Sequence, residues 1–223
     1  RDSNWSDEIF ENNVRQEYNL SVSGASDKMN YYMSAGYLDD QGIVPNSGFQ
    51  RYSARLKADY QVKPWLKLGA NVSFTHYDSR EQDTEGGTSN ANIFYASNIM
   101  GAIYPMYIRD AQGNIMTDNR GFQRYDYGKK GQDTNGSRNT IPNANPLASY
   151  MLDKMKYSGD VVSGKWFADV DIWGGIKAKV NIGVDANNVR NTDMVNPFYG
   201  QYSETTGVGG LISVSTPRTF SVN

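Results

Sequence analysis

The sequence predicts an all-β fold, specifically a segment of an antiparallel transmembrane β-barrel with long loops. Two observations carry this prediction: stretches in which apolar and polar residues alternate strictly, and connections that are alternately short and long. Strict alternation places apolar side chains on one face of a strand and polar side chains on the other. Tight turns at one end and long loops at the other are typical of outer-membrane barrels.

The clearest alternation lies in residues 51–75, which predict two strands joined by a tight polar turn. Each apolar face runs about nine residues, the length that a tilted strand needs to cross a bilayer. We expect the apolar side chains to face lipid: Leu56, Leu66, Leu68, Val72 and Phe74. We expect the polar ones to face a lumen: Arg55, Lys57, Asp59, Lys67 and Asn71. A soluble sandwich would give the same alternation, so this pattern alone leaves both environments open.

The rest of the chain repeats the pattern with interruptions. Near the C-terminal end, Val180, Ile182 and Val184 share one strand face and are also expected to face lipid. Taken in order, the chain is predicted as loop over 1–15, strands over 16–76, a large loop over 77–156, strands over 157–192, a loop over 193–210 and a strand over 211–223.

The lengths of the connections separate the two environments. Short and long connections alternate without exception: 25–28 short, 39–48 long, 61–64 short, 77–156 very long, 174–175 short and 192–210 long. A soluble sandwich has no physical reason to sort its loops by end, whereas outer-membrane barrels have short periplasmic turns and long extracellular loops. We therefore predict that the long loops, with residues 1–15, are extracellular.

The large loop contains local signals of its own. Asn145 followed by Pro146 predicts a helix start, because Asn caps helices and Pro suits the first helical position. A short helix is predicted near residues 91–100, and a tight turn at residues 110–113. Loop aromatics are candidates for contact with a ligand or a partner protein, and the alternative is that they pack the loop's own core. They are Tyr95, Tyr104, Tyr107, Phe122, Tyr125 and Tyr127.

Composition narrows the possible functions. The chain has no cysteine and one histidine, His76, so no catalytic residue, cofactor-binding residue or metal ligand is predicted, and we expect no enzyme activity. A net charge of −2 without a basic run gives no case for nucleic acid. The mean hydropathy of −0.65 is compatible with a barrel, because only alternate residues of its strands meet lipid.

Several blocks of sequence resemble the SusC/RagA family of TonB-dependent outer-membrane transporters of Bacteroidetes. They are NLSVSGASDKMNYYMSAGYLDDQGIV, FQRYSARLKADYQVKPWLKLGANVSF, NPLASY, NIGVDANNVR, NPFYG and RTFSVN. The resemblance implies a barrel of 22 strands filled by an N-terminal plug, located in the bacterial outer membrane. It also implies a SusD-like surface lipoprotein over the extracellular mouth, import of oligosaccharide or peptide, and energy from the TonB complex.

The resemblance covers only part of such a transporter. We expect about seven of the 22 strands, with the plug domain and the remaining strands absent. The polar face would then meet the plug, the sheet edges would pair with the rest of the same barrel, and the TonB complex would act through the missing N-terminal part. The alternative function is a soluble all-β module for carbohydrate binding or adhesion, whose apolar faces pack on one another.

Overall fold

The computed structural model describes residues 3–81, 92–128, 138–142, 144–196 and 210–223. All named strands lie in one antiparallel sheet: β1 Arg15–Ala25, β2 Met29–Gln41, β3 Gly48–Lys63, β4 Leu66–Glu81, β5 Lys154–Trp173, β6 Ile176–Val195, β7 Leu211–Ser215 and β8 Arg218–Val222. Short helices lie between them: α1 Trp5–Ile9, α2 Ile93–Ile99 and α3 Pro146–Leu152. Within the described ranges no helix has the length and apolar character needed to span a membrane. The predicted all-β fold is confirmed.

The sheet follows the order of the chain, and tight connections close it at one end. Residues 26–28, 64–65 and 174–175 join successive strands there, and we call this the turn end. At the last of these turns Gly174 and Gly175 have φ of 60° and 85°, which glycine adopts without steric cost. The opposite end, where the long connections leave the sheet, is the loop end.

Strand register gives the sheet two chemically different faces. One row of paired residues is apolar across the sheet, and it runs Val22, Met33, Leu56, Val72, Gly164, Val184 and Val222. The adjacent row points the other way, and it runs Ser21, Ser34, Arg55, Ser73, Ser163, Asp185 and Ser221. We call these sides the apolar face and the polar face.

Several strands are longer than the sequence predicts. The large loop was expected from residue 77 to residue 156, but β4 continues to Glu81 and β5 begins at Lys154, where Glu81 pairs with Met155. Strand β6 likewise runs to Val195 instead of residue 192. Backbone pairing continues there after the apolar alternation has stopped, so hydropathy alone could not locate these strand ends.

The C-terminal strand is interrupted, which changes the strand count from about seven to eight. Residues 211–223 were predicted as one strand, but β7 and β8 both pair with β6 and are separated at Thr216 and Pro217. Proline has no N–H to donate to a ladder. Its carbonyl still accepts a hydrogen bond from the Val189 N–H at 3.0 Å, so the chain stays beside β6.

Most of the buried apolar side chains in the described residues lie in the loops, beyond the loop end of the sheet. They join residues from α1, α2, α3 and the connecting segments: Trp5, Ile9, Val44, Ile93, Ala96, Met100, Met106, Tyr107, Tyr125, Tyr127, Ile141, Ala144, Leu147, Ala148 and Tyr150. We call residues 3–14, 42–47, 92–128, 138–142 and 144–153 the loop subdomain. The long connections therefore form a packed unit with its own core.

Candidate functional site

The apolar face is exposed across its width. The exposed fraction is 46% for Leu56, 42% for both Leu68 and Phe74, and 50% for Ile182. The other residues assigned to lipid from the sequence, Leu66, Val72, Val180 and Val184, occupy rows of the same face. An ordinary water-soluble chain rarely exposes a continuous apolar surface of this extent.

An aromatic row lies on the apolar face near the loop end. It consists of Tyr18, Tyr37, Tyr52 and His76, paired across β1 to β4. Successive ring centroids are 6.4, 5.0 and 6.3 Å apart. Tyrosine suits the boundary between hydrocarbon and water, because its ring is apolar and its hydroxyl is polar.

Large apolar groups mark the turn end of the sheet. Trp65 is 52% exposed and Trp173 is 83% exposed, beside the turns that follow β3 and β5. On β4 the apolar stretch runs from Leu66 to the aromatic row at His76. Ten residues of strand tilted by about 40° span roughly 25 Å across a membrane, the height of the apolar band of outer-membrane barrels.

The polar face gathers cationic and hydroxyl side chains at its centre. Arg55 Nε donates a hydrogen bond to Asn71 Oδ1 at 3.0 Å. These two residues, with Ser73, Ser163 and Lys165, line an open pocket of about 270 Å³. Lys57 is directly opposite Asn71, and Asn71 is directly opposite Lys165, so two lysines flank the asparagine in one row across β3 to β5.

Nearer the turn end, Phe167 lies between two cations on the polar face. Lys67 Nζ is 5.9 Å and Lys179 Nζ is 5.2 Å from the centre of its ring. Gly69 leaves the space for this ring, since a Cβ there would lie 2.0 Å from Phe167 Cε1. Asp59, another residue assigned to the lumen from the sequence, is directly opposite Gly69.

Hydrogen bonds tie the separate parts of the loop subdomain together. Trp5 Nε1 donates to the Tyr104 carbonyl at 3.0 Å, which attaches α1 to the large loop. Asn46 Nδ2 donates to the Tyr150 carbonyl at 2.7 Å, which joins the β2–β3 connection to α3. The first residues and two different long connections therefore form one packed unit.

A buried ion pair lies inside this subdomain. Arg138 Nη1 is 3.4 Å from Asp126 Oδ1, and both side chains are 2% exposed. Arg138 also donates through Nε to the Thr140 carbonyl at 3.1 Å and through Nη2 to the Ala144 carbonyl. Desolvation lowers the pKa of the Arg138 guanidinium, and the negative charge of Asp126 opposes that shift.

Asn145 connects the ion pair to α3. As predicted from the sequence, its side-chain oxygen caps the helix by accepting from the Ala148 N–H at 3.1 Å, with Pro146 at the first turn. Its amide nitrogen donates to the carbonyls of Met106 and Asp126, each at 2.9 Å. A fully buried side chain therefore satisfies one helix donor and two loop acceptors.

The structure divides the six loop aromatics into three groups. Tyr107, Tyr125 and Tyr127 are 8%, 7% and 2% exposed, so they form core and do not offer ring faces to a ligand. Burial raises the pKa of Tyr125 to about 12. Tyr95 and Tyr104 pack partly buried against that core. Phe122 is the most exposed of the six, with about half of its surface accessible (49%).

The exposed Phe122 follows two tight turns of the same kind. Asp110 Oδ1 accepts from the Asn114 N–H at 2.8 Å, which confirms the turn predicted at residues 110–113. Hydrogen bonds from the side chain and the backbone N–H of Asn114 lower the pKa of the Asp110 carboxyl. Asp118 Oδ1 accepts from the Phe122 N–H at 2.8 Å in the second turn. In the described parts of the chain, no three His, Cys, Asp or Glu side chains gather as metal ligands.

Comparison with known proteins gives relatives of one kind. TonB-dependent receptor P3 of Formosa agariphila is 24% identical over 232 aligned residues, covering 99% of this chain and 20% of that protein. TonB-dependent receptor SusC of Bacteroides thetaiotaomicron is 32% identical over 90 residues, covering 40% of this chain and 9% of that protein. A solved structure of the RagAB peptide transporter has a TM-score of 0.72 and 24% identity over 100% of this chain. The chain is similar to a segment of the SusC/RagA-like TonB-dependent transporters.

The resemblance seen in the sequence blocks is thereby confirmed. No family model matches the SusC/RagA-like chain. It spans less than a quarter of each relative, since it covers 23% of the RagAB chain and smaller shares of the two receptors. The RagAB match extends over the sheet and the loop subdomain together, so both belong to the shared fold.

Sequence reasoning missed the ion pair between Arg138 and Asp126. The two residues are separated by a stretch with no strand or helix period, so no pattern pairs them. One sequence signal lay near this ion pair: Asn145, which was predicted to cap a helix and whose amide also binds the Asp126 carbonyl. Its two further hydrogen bonds depend on how the loop folds back and have no local signature.

Proposed function

We propose that this chain forms part of the barrel wall and the extracellular loops of an outer-membrane transporter that imports nutrients. The observation that carries this function is the exposed apolar face, which extends from the aromatic row at the loop end to the tight turns at the other end, with a polar face behind it. In such a barrel the apolar face meets lipid and Arg55, Lys57, Asp59, Lys67 and Asn71 face the plug in the lumen. The chain supplies wall and loops and carries no catalytic role.

The soluble sandwich considered from the sequence has less support. A sandwich needs a second sheet against the apolar face. The described strands all belong to one sheet, and the main buried cluster of the described residues lies beyond the loop end instead of against that face. Closure into a barrel would also pair the exposed edge of β1 with a strand from the rest of the same polypeptide, which removes the unpaired backbone groups that lipid does not tolerate.

We propose that the loop subdomain lies at the extracellular mouth, where a SusD-like lipoprotein docks. Apolar rings are exposed on it: Phe10 and Phe94 are 37% and 40% exposed and lie 5.9 Å apart between centroids. Phe122 provides a further exposed ring. Exposed aromatic residues on a rigid unit are typical anchors of protein interfaces. The substrate would be an oligosaccharide or a peptide, and energy would come from TonB through another part of the protein.

Uptake by the full-length protein tests this function. Cells that carry it should accumulate a labelled oligosaccharide or peptide, and a protonophore should abolish the accumulation. Cells that lack the gene should not accumulate the label. Equal uptake with and without the gene, across both substrate classes, would contradict an import function.

A loop variant tests whether the subdomain takes part in uptake. Residues 109–123 hold the two tight turns and Phe122, and the Ile108 N–H donates to the Arg124 carbonyl at 2.8 Å, so an Asn-Gly turn can join Ile108 to Arg124. If Phe122 is an interface anchor, its removal with these turns should weaken the capture of ligand or lipoprotein by at least about tenfold. The barrel should remain inserted, as checked by heat-modifiable migration on gels. Wild-type uptake by the inserted variant would show that these turns are dispensable.

A further inference from the structure

Basic side chains form a patch on the apolar face, at the level of the aromatic row and beyond it toward the loop end, on β4, β5, β6 and β8. They are Arg80, Lys154, Lys156, Arg190 and Arg218, and all five are exposed. The function proposed above assigns none of them, because they lie outside the lumen and outside the loop subdomain. Their position between a lipid-facing band and water calls for an explanation of its own.

The register puts these groups on one continuous surface. Arg80 pairs directly with Lys156, and Arg190 pairs with Ser158, two residues along β5 from Lys156. Arg218 pairs with Asn188 on the next strand, and its Nε donates to Asn188 Oδ1 at 3.1 Å. With strands about 4.8 Å apart, the patch is roughly 14 Å wide.

The patch also follows the slope of the sheet. Followed across the paired strands to β4, Arg190 aligns with Asp78 and Arg218 aligns with His76. The basic groups therefore lie progressively nearer the turn end from Arg80 on β4 to Arg218 on β8. The turn end of the sheet shifts in the same direction. The last residue of β1 aligns, across β2 and β3, with Gly69 of β4. The pairing of β5 with β6 instead continues past Val170, which aligns with Leu66 of β4. Strands that tilt in a barrel produce this stagger, which puts the patch at one depth in the membrane.

Acidic groups compensate only part of this charge. Asp78 Oδ1 is 3.0 Å from Lys156 Nζ, and Asp160 Oδ1 is 2.8 Å from His76 Nδ1. Among the described residues, Arg80 and Arg190 form no ion pair with a protein carboxylate. Guanidinium groups bind phosphate through paired N–H donors, and a basic group near an anionic membrane surface is attracted to its head groups.

We propose that this basic patch binds the phosphate groups of a phosphorylated glycolipid in the leaflet at the loop end. The acyl chains of that lipid would lie on the apolar face, between Phe74, Val162 and Ala186 just below the patch. This inference rests on the proposed membrane insertion and adds a lipid of defined chemistry to it. It concerns the outside of the barrel and does not depend on the imported substrate.

Native mass spectrometry of the full-length protein with added lipid A tests the proposal. The test variant is the triple substitution Arg80→Gln, Arg190→Gln and Arg218→Gln, which leaves the Lys156–Asp78 pair intact. Each lost basic group weakens binding to an anionic head group by about fivefold, so the triple variant should bind lipid A on the order of 100-fold more weakly. Binding of phosphatidylcholine should stay unchanged.

A control variant removes the same number of charges at the turn end of the sheet: Lys63→Gln, Lys177→Gln and Lys179→Gln. It should bind lipid A as the wild type does. Wild-type binding by the Arg variant, or equal loss in both variants, would overturn the proposal while leaving import and insertion standing. Wild-type protein that migrates as an unfolded chain and does not enter lipid would overturn both the proposal and the membrane function.

Discussion

Replacing Arg138 with methionine is expected to lower the free energy of unfolding of the loop subdomain by about 3–5 kcal/mol, because it removes the guanidinium that pairs with the buried carboxylate of Asp126. The carboxylate of Asp126 would keep the Gly128 N–H as a donor at 2.6 Å but lose the guanidinium. The carbonyls of Thr140 and Ala144 would lose their hydrogen bonds from Arg138. Hydrogen exchange of α3 amides in the full-length protein measures the change.

Two further variants separate charge from geometry in this site. Arg138→Lys keeps the positive charge but lacks the planar fork that reaches several carbonyls, so an intermediate loss of protection is expected. The double variant Arg138→Met with Asp126→Leu removes both charges and should be less destabilised than Arg138→Met alone. Wild-type exchange rates in Arg138→Met would show that the ion pair does not stabilise the subdomain.

Replacing Leu56 with arginine should destabilise the inserted full-length protein by about 2–4 kcal/mol, the cost of a cation near the middle of the lipid-facing band. Leu56 lies between Met33 and Val72 in an apolar row midway between the aromatic row and the turn end. Its exposed fraction of 46% shows that no other part of the described chain covers it. Reversible unfolding in lipid vesicles by denaturant measures this difference.

The neighbouring position provides the matched control. Lys57→Arg puts the same side chain one residue along β3, where alternation turns it to the polar face beside Asn71. Its free energy of unfolding should differ little from that of the wild type. Equal cost at both positions would contradict the assignment of the two faces.

The sequence predicted the sheet well because side-chain alternation is a local property. The assignment of Leu68, Val72 and Val184 to the apolar face required only the two-residue period of a strand and the lengths of the connections. Boundaries such as Glu81 and Lys154 were missed, because outside the apolar band backbone pairing continues without a pattern in the side chains. The interruption before Arg218 follows from one proline, whose effect on strand count could not be read from hydropathy.

The loop subdomain was less predictable because its contacts join residues that are far apart in the chain. The Asn145 cap and the Asp110 turn were found, since each depends on a few neighbouring residues. The burial of Tyr127 and the pairing of Arg138 with Asp126 depend on how α1, α2 and α3 pack together. An aromatic residue in an aperiodic loop gives the same sequence signal whether it is core, like Tyr127, or surface, like Phe122.

The most direct test of the central claim is the environment of spin labels along β4 in the full-length protein inserted in lipid vesicles. Single cysteines at Leu68, Val72 and Phe74 should carry labels that collide with oxygen, which concentrates in lipid. Labels at Lys67 and Ser73 should not share that lipid contact, because their side chains turn to the opposite face. An oxygen collision rate that alternates along β4 is the predicted result. Equal rates at neighbouring positions, or contact of the Val72 label with a water-soluble nickel chelate, would contradict a lipid-facing wall.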